Sequence, residues 1–197
     1  MKPVKGADLF PRGRVVLDYE TSSISPYDGG RPFIAGMEDE AGVVILSRPG
    51  DRHWRKVRML VEDSGVEKIT HNAKFELKMS RHMGWRPAGK WHDTMGLSVL
   101  VDEYQPLALG ALAVKYFGDS YKGSVQDALK KVSYEIRKKE FREANYSDIS
   151  KKVIEPYLEK DLDVTLKLFW MWHPFVKSNF SKLYEMETEL AHSIVDM

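Results

Sequence analysis

Three short segments carry carboxylates at spacings that can do chemistry. Asp18 and Glu20 stand two apart at the end of the apolar run Val15-Val16-Leu17. In an extended strand, period two puts them on one side of the pleat. Two carboxylates held there repel each other and lose hydration unless a cation sits between them. Tyr157 and Asp161 stand four apart on an expected helix and share a face. Pro156, just before them, has no amide proton and fits a first helical turn or a local kink. His71-Asn72-Ala73-Lys74-Phe75-Glu76 lies at an expected strand-to-helix junction. Asn72 can cap that helix, Glu76 falls one turn into it, and His71 reads as packed or capping rather than as a ligand. Taken singly, each segment has a plain structural account: a solvated strand end, an amphipathic helix with a packed tyrosine, a helix cap.

The combination is more specific. Asp18-x-Glu20, then Asn72-x-x-Phe75-Glu76, then Tyr157-x-x-x-Asp161 resembles the DEDD exonuclease superfamily in its tyrosine-bearing branch. Val15-Val16-Leu17-Asp18-Tyr19-Glu20-Thr21 is similar to that family's first strand. Trp91-His92-Asp93-Thr94-Met95 resembles the step between its second and third motifs, and Tyr157 to Thr165 its third-motif helix. The likeness covers roughly residues 14 to 172. The other branch places a histidine five residues before the last aspartate, where this chain has Pro156.

The resemblance implies a two-metal-ion hydrolysis. Two divalent cations ~3.5–4 Å apart acidify a water and offset the charge of a phosphodiester. Magnesium or manganese, being hard, takes oxygen ligands. By the same resemblance Asp18, Glu20 and Asp161 hold the first metal, Asp18 bridges to the second, Glu76 acts through water, and Tyr157 orients the attacking water. Thr21 and Ile24 would contact the terminal nucleotide, Asn72 would bond near the scissile nucleotide or only cap its helix, and Lys74 would meet phosphate or solvent. The family pattern has aspartate where this chain has Glu76; the extra methylene moves the carboxylate by roughly an ångström.

Within the superfamily the likeness is to the proofreading domain of family A DNA polymerases, phage-like ones in particular. Leu183 to Leu190 and Ile194 to Met197 resemble the segment entering a polymerase domain, and the chain stops within an expected helix with no glycine cap. That reading divides the chain into an exonuclease domain, 1–180, and the start of a connection, 181–197. Its substrate would be a single-stranded DNA 3′ end and its partner a covalently following polymerase domain. An RNA-processing exonuclease of the same superfamily is the alternative, though that family's Asp-Trp-x-x-Arg-Pro-Leu-like segment is lacking. A catalytically weak DNA-binding or spacer module is another, with Glu76 as its support.

The elements that must position these residues follow from periodicity. Arg14 to Tyr19 reads as a buried strand, and Phe33–Met37 and Val43–Ser47 as an antiparallel pair across a Glu38–Gly42 connection. Trp54, Val57, Leu60 and Val61 recur at helical spacing. A strand over 67–71, a helix after Asn72, a strand over 91–93 and helices over 95–100 and 107–117 follow. Residues 121–146 read as helical pieces of uncertain docking. A helix runs from Asp148 to about Trp172, and Leu183, Met186, Leu190 and Ile194 form a last amphipathic stripe. The order predicts an α/β fold, a ribonuclease H-like mixed sheet with one antiparallel hairpin and helices packed on it.

Bulk composition agrees. The 197 residues fit one domain; 43% are hydrophobic and 30% charged, and no apolar run approaches the ~20 residues of a membrane span. The absence of cysteine excludes disulfides, thiolate zinc sites and cysteine nucleophiles, and suits the cytoplasm of a bacterial or phage-infected cell. The net charge of +1 is neutral on nucleic acid, but Arg48–Arg58 and Lys122–Glu143 are locally basic, either solvated faces or phosphate contacts.

Overall fold

The computed structural model describes residues 4–5, 13–140 and 143–195. Its strands are β1 (Val4–Lys5), β2 (Arg14–Thr21), β3 (Pro32–Asp39), β4 (Val43–Ser47), β5 (Glu67–Thr70) and β6 (Trp91–Asp93). They form one sheet in the order β1-β4-β3-β2-β5-β6. β2 pairs antiparallel with β3, β3 antiparallel with β4, and β2–β5 and β5–β6 run parallel. The expected hairpin is therefore present, and β3 opposes both of its neighbours. A short 3₁₀ turn, Pro26–Asp28, fills the link between β2 and β3.

The helices are α1 (Trp54–Glu62), α2 (Ala73–His82), α3 (Thr94–Val101), α4 (Leu109–Phe117), α5 (Lys122–Glu140), α6 (Lys151–Asn179) and α7 (Ser181–Val195). Strand alternation sorts the core into two layers. Val15, Leu17 and Tyr19 of β2 pack with α1 and α2 through Val57, Val61, Leu77 and Met79. Val16, on the opposite face, packs with α3, α4 and α6 through Leu97, Leu112, Leu162 and Phe169. Asp18 and Glu20 share Val16's parity and so emerge on the α6 side.

Residues 122–140 form one helix rather than pieces. Val125 is buried with Ile149, Ile154 and Tyr157, and Leu129 packs on them, so α5 docks on the first turns of α6. α6 runs on past Trp172 to Asn179, carrying Pro156 and Pro174 inside it. Pro156 lies in its second turn, not the first. The last stripe is turned around. Leu183, Met186 and Leu190 are exposed, while Tyr184, Thr188 and Ala191 are buried against the body; the side chain of Ile194 lies outside the described residues. The polar-capable Tyr184 is drawn inward because it bonds His92, which apolar periodicity does not register.

Two glycine and lysine features fix the layers. Gly36 is the cross-strand partner of Asp18. A Cβ there would meet Leu158 Cγ and Leu162 Cδ1 at 2.9 Å each, so α6 approaches β3 only because Gly36 has none. Lys68 of β5 is fully buried, its ammonium donating to the carbonyls of Asp63, Val66 and Ala88. It ties two loops under the sheet. Among the described residues no helix is long and apolar enough to cross a membrane.

Candidate active site

The carboxylates expected to converge do so from distant parts of the chain. Oxygens of Asp18, Glu20 and Asp161 lie within 4.8 Å of one another. β2 supplies the first two, and the pairing register slips between Glu20 and Thr21, a bulge that bends the strand end where these acids sit. α6 supplies Asp161, brought to β2 across Gly36. Glu20 is 8% and Asp161 4% exposed.

Crowding shows in their protonation. Burial, then the Asp161 carboxylate, push Asp18 up to about 7. Burial, then Asp18 and Asp161, push Glu20 up to about 9. Glu76, 1% exposed, lies beside Asp18 but outside the trio; burial and Asp18 hold its carboxyl well above the ordinary range. Its Oε2 has no hydrogen-bond partner among the described residues. An orphaned, buried carboxylate oxygen next to three crowded carboxylates is a costly arrangement for a protein alone.

Tyr157 stands one turn before Asp161, its ring stacked on Tyr146 at 6.4 Å and tilted against Tyr121. Burial, then Asp161 and Glu20, push its hydroxyl far up, so it stays a neutral donor and acceptor. Thr21 is buried just past the bulge, and Ile24 is 85% exposed in the loop that follows. Lys74 is exposed and lines a small cavity with Asp93 and α7 residues Tyr184 and Thr188.

Asn72 does not cap α2 through its side chain. Its backbone is left-handed, φ 76°, ψ 62°, the one positive-φ non-glycine residue among those described; a side-chain cap normally starts from extended backbone. Asp93 takes the role instead. Its carboxylate accepts from the amides of Asn72 (2.8 Å), Ala73 (3.1 Å) and Met95 (2.9 Å), so it starts both α2 and α3. His71 is packed and bonded, Nε2 to the Leu107 carbonyl at 2.8 Å and Nδ1 to Thr94 Oγ1 at 2.9 Å, in keeping with a non-ligand.

Sequence reasoning missed Tyr121, and it marked Lys122 only as the first residue of a basic stretch, not as a neighbour of the acids. Tyr121 donates its hydroxyl to Asp161. Lys122 donates to Tyr157 Oη at 2.9 Å and lies 3.1 and 3.2 Å from the two Asp161 oxygens. Neither has a spacing relation to the acid motifs; the signal for Lys122 was its basic stretch, read as a solvated face or phosphate contacts. Of the Arg48–Arg58 patch, Arg48 sits 3.6 Å from Glu155 and Arg58 pairs with Glu62.

An all-oxygen donor set of this density fits a hard divalent cation. Asp18, Glu20 and Asp161 are placed to hold one, with Glu76 behind them.

Comparison with known proteins gives the family and the fold. A 3′-5′ exonuclease family model, that of family A DNA polymerases, matches residues 7–171. DNA polymerase I of Borreliella burgdorferi is 26% identical over 194 residues, 93% of this chain; the chain spans 20% of that polymerase's length. Among solved structures, Brucella melitensis NrnC bound to pGG superposes with a TM-score of 0.70 at 16% identity, covering 93% of this chain and 83% of that one. Escherichia coli RNase D, an exoribonuclease, does so with a TM-score of 0.66 at 14% identity, over 93% and 45%. These likenesses establish the ribonuclease H-like fold of the DEDD nucleases. With the matched family and the converging acids together, the chain is a member of the 3′-5′ exonuclease family found in family A DNA polymerases.

Proposed function

We propose that this 3′-5′ exonuclease acts on DNA, removing nucleoside monophosphates from a single-stranded 3′ end as the proofreading part of a DNA polymerase. The observation that carries it is the convergence of Asp18, Glu20 and Asp161, with Tyr157 one turn away, in a chain whose matched family and 26%-identical relative are both of DNA polymerases.

Asp18, Glu20 and Asp161 would hold divalent metal, Mg²⁺ or Mn²⁺, with Glu76 reached through water. Two such ions when bound lower the pKa of a water and neutralise charge on the phosphodiester. The remaining work falls to the chain. Tyr157, neutral at working pH, orients the attacking water by hydrogen bond and takes no proton from it. Ile24, exposed in the loop after β2, is available to wedge against the terminal base, and Thr21 ends the strand that carries Asp18 and Glu20. Asn72 and Lys74 are the remaining candidates for nucleotide contact. α7 would lead towards a polymerase domain.

Matched 3′-labelled single-stranded DNA and RNA oligomers, digested with Mn²⁺ and then with Asp18→Ala as control, test the proposal. Faster release of dNMP from DNA, abolished in the variant, is the expected result. Faster trimming of RNA would transfer the protein to RNA processing. Equal activity of the variant would remove the acid cluster from catalysis altogether.

A further inference from the structure

We propose that Lys122 is a further catalytic residue, whose ammonium sets the Tyr157 hydroxyl and contacts the scissile phosphate. The inference rests on the exonuclease reading above.

The geometry is that of a held cation rather than a solvated one. Among the described residues, Lys122 is the basic side chain in ion-pair contact with the acid cluster, through Asp161 at 3.1 Å. The same ammonium lies 5.0 Å from the centre of the Tyr157 ring and 5.6 Å from that of Tyr121. Its stem lies along Gly110 of α4, where a Cβ would come within 2.7 Å of Lys122 Cδ. The absence of a side chain at 110 is what leaves the stem this path.

A simple counter-ion would touch carboxylates alone. Lys122 also donates to Tyr157 Oη at 2.9 Å. That bond occupies an acceptor position of the hydroxyl and leaves its own proton free to point elsewhere, toward the water Tyr157 is to orient. An ammonium has three donors; two are taken by Tyr157 and Asp161. The second Asp161 oxygen, 3.1 Å away, competes for the third, but the side chain is 30% exposed, so that donor can turn to an incoming anion. An anionic phosphate oxygen arriving beside Asp161 is the acceptor that donor suits, and a fixed positive charge there stabilises the charge gained in the transition state.

The test separates rate from metal binding. Mn²⁺ affinity is read without DNA, by electron paramagnetic resonance of the free ion, and hydrolysis of 3′-labelled single strands is read at saturating Mn²⁺. Lys122→Met is expected to lose about a hundredfold in kcat while binding Mn²⁺ as tightly as wild type or more so, because a nearby positive charge is gone. Gly110→Ala, which displaces the stem and leaves every charge in place, is expected to lose several-fold in the same direction; it carries the test if Lys122→Met does not fold. A Lys122→Met rate within twofold of wild type overturns the proposal. So does a rate loss that tracks weakened Mn²⁺ binding, which would make Lys122 a structural prop for the acids. Asp18→Ala is run alongside: full activity in that variant brings down the exonuclease reading and this inference with it, whereas an inactive Asp18→Ala beside an active Lys122→Met brings down this inference alone.

Discussion

Asp18 shows how folding and chemistry conflict at this site. Its carboxyl is raised to about 7 by burial and then by the Asp161 carboxylate, so ionisation above that pH opposes folding. The sign follows from proton binding: the folded state holds the proton more tightly than the unfolded chain, so stability falls as pH rises from the ordinary carboxylate range through 7. Asp18→Asn removes the ionisation. It should be more stable than wild type by about 1–3 kcal/mol at pH 8 in chelator, with a smaller gain at pH 5, and nearly inactive. Urea denaturation at the two pH values, with nuclease assays alongside, measures both. His92 works in the other direction. Burial lowers its pKa to about 4 while its ring bonds Tyr184 and Glu67. The unfolded chain then binds the extra proton between about 4 and 6.5, and stability is lost as pH falls through that window. His92→Gln lacks this term, so its stability deficit relative to wild type should shrink by about 2 kcal/mol between pH 7.5 and 5. At this scale the acids were legible in the chain, since a shared strand face or helix face follows from spacing alone. Lys122 was not: it meets residues 35 and 39 positions away, and no local period relates them.

At the scale of elements, Gly36 decides how close α6 comes to the sheet, and through it where Asp161 lies. Gly36→Val should cost about 1–3 kcal/mol by overpacking Leu158 and Leu162, and should lower exonuclease activity more than it lowers Tm, because Asp161 shifts away from Asp18. Thermal melts and kcat on the same preparations separate the two effects. Lys68→Met should destabilise by about 2–4 kcal/mol, since three buried carbonyls lose their donor, and leave kcat per folded molecule unchanged. The strands and most helices were readable from apolar periods, the hairpin from its polar connection. α5 was not readable as one helix: its buried residues are few, and its charges dominate the pattern. The last helix was read with its stripe inward, because the pattern scores apolar residues while the buried face is fixed by the His92–Tyr184 bond.

Across the whole molecule, charge is balanced in sum and uneven in place. The net charge is +1, yet buried acids crowd one end of the sheet and basic residues recur along α5. Substrate attraction must then come from local cations rather than from the global field. The KM for single-stranded DNA should rise with added salt by a slope of roughly 0.7 per phosphate contacted, while kcat changes little; steady-state kinetics from 50 to 200 mM salt would show it, and a flat KM would remove the local cations from substrate capture.

The carboxylate of Asp93 receives amides from Asn72, Ala73 and Met95. One atom group thus sets the origin of two helices and the unusual backbone of Asn72, four residues before Glu76. Shortening that anchor would leave all four acids chemically intact and still spoil their alignment, so damage to the nuclease need not begin at any residue that meets its substrate.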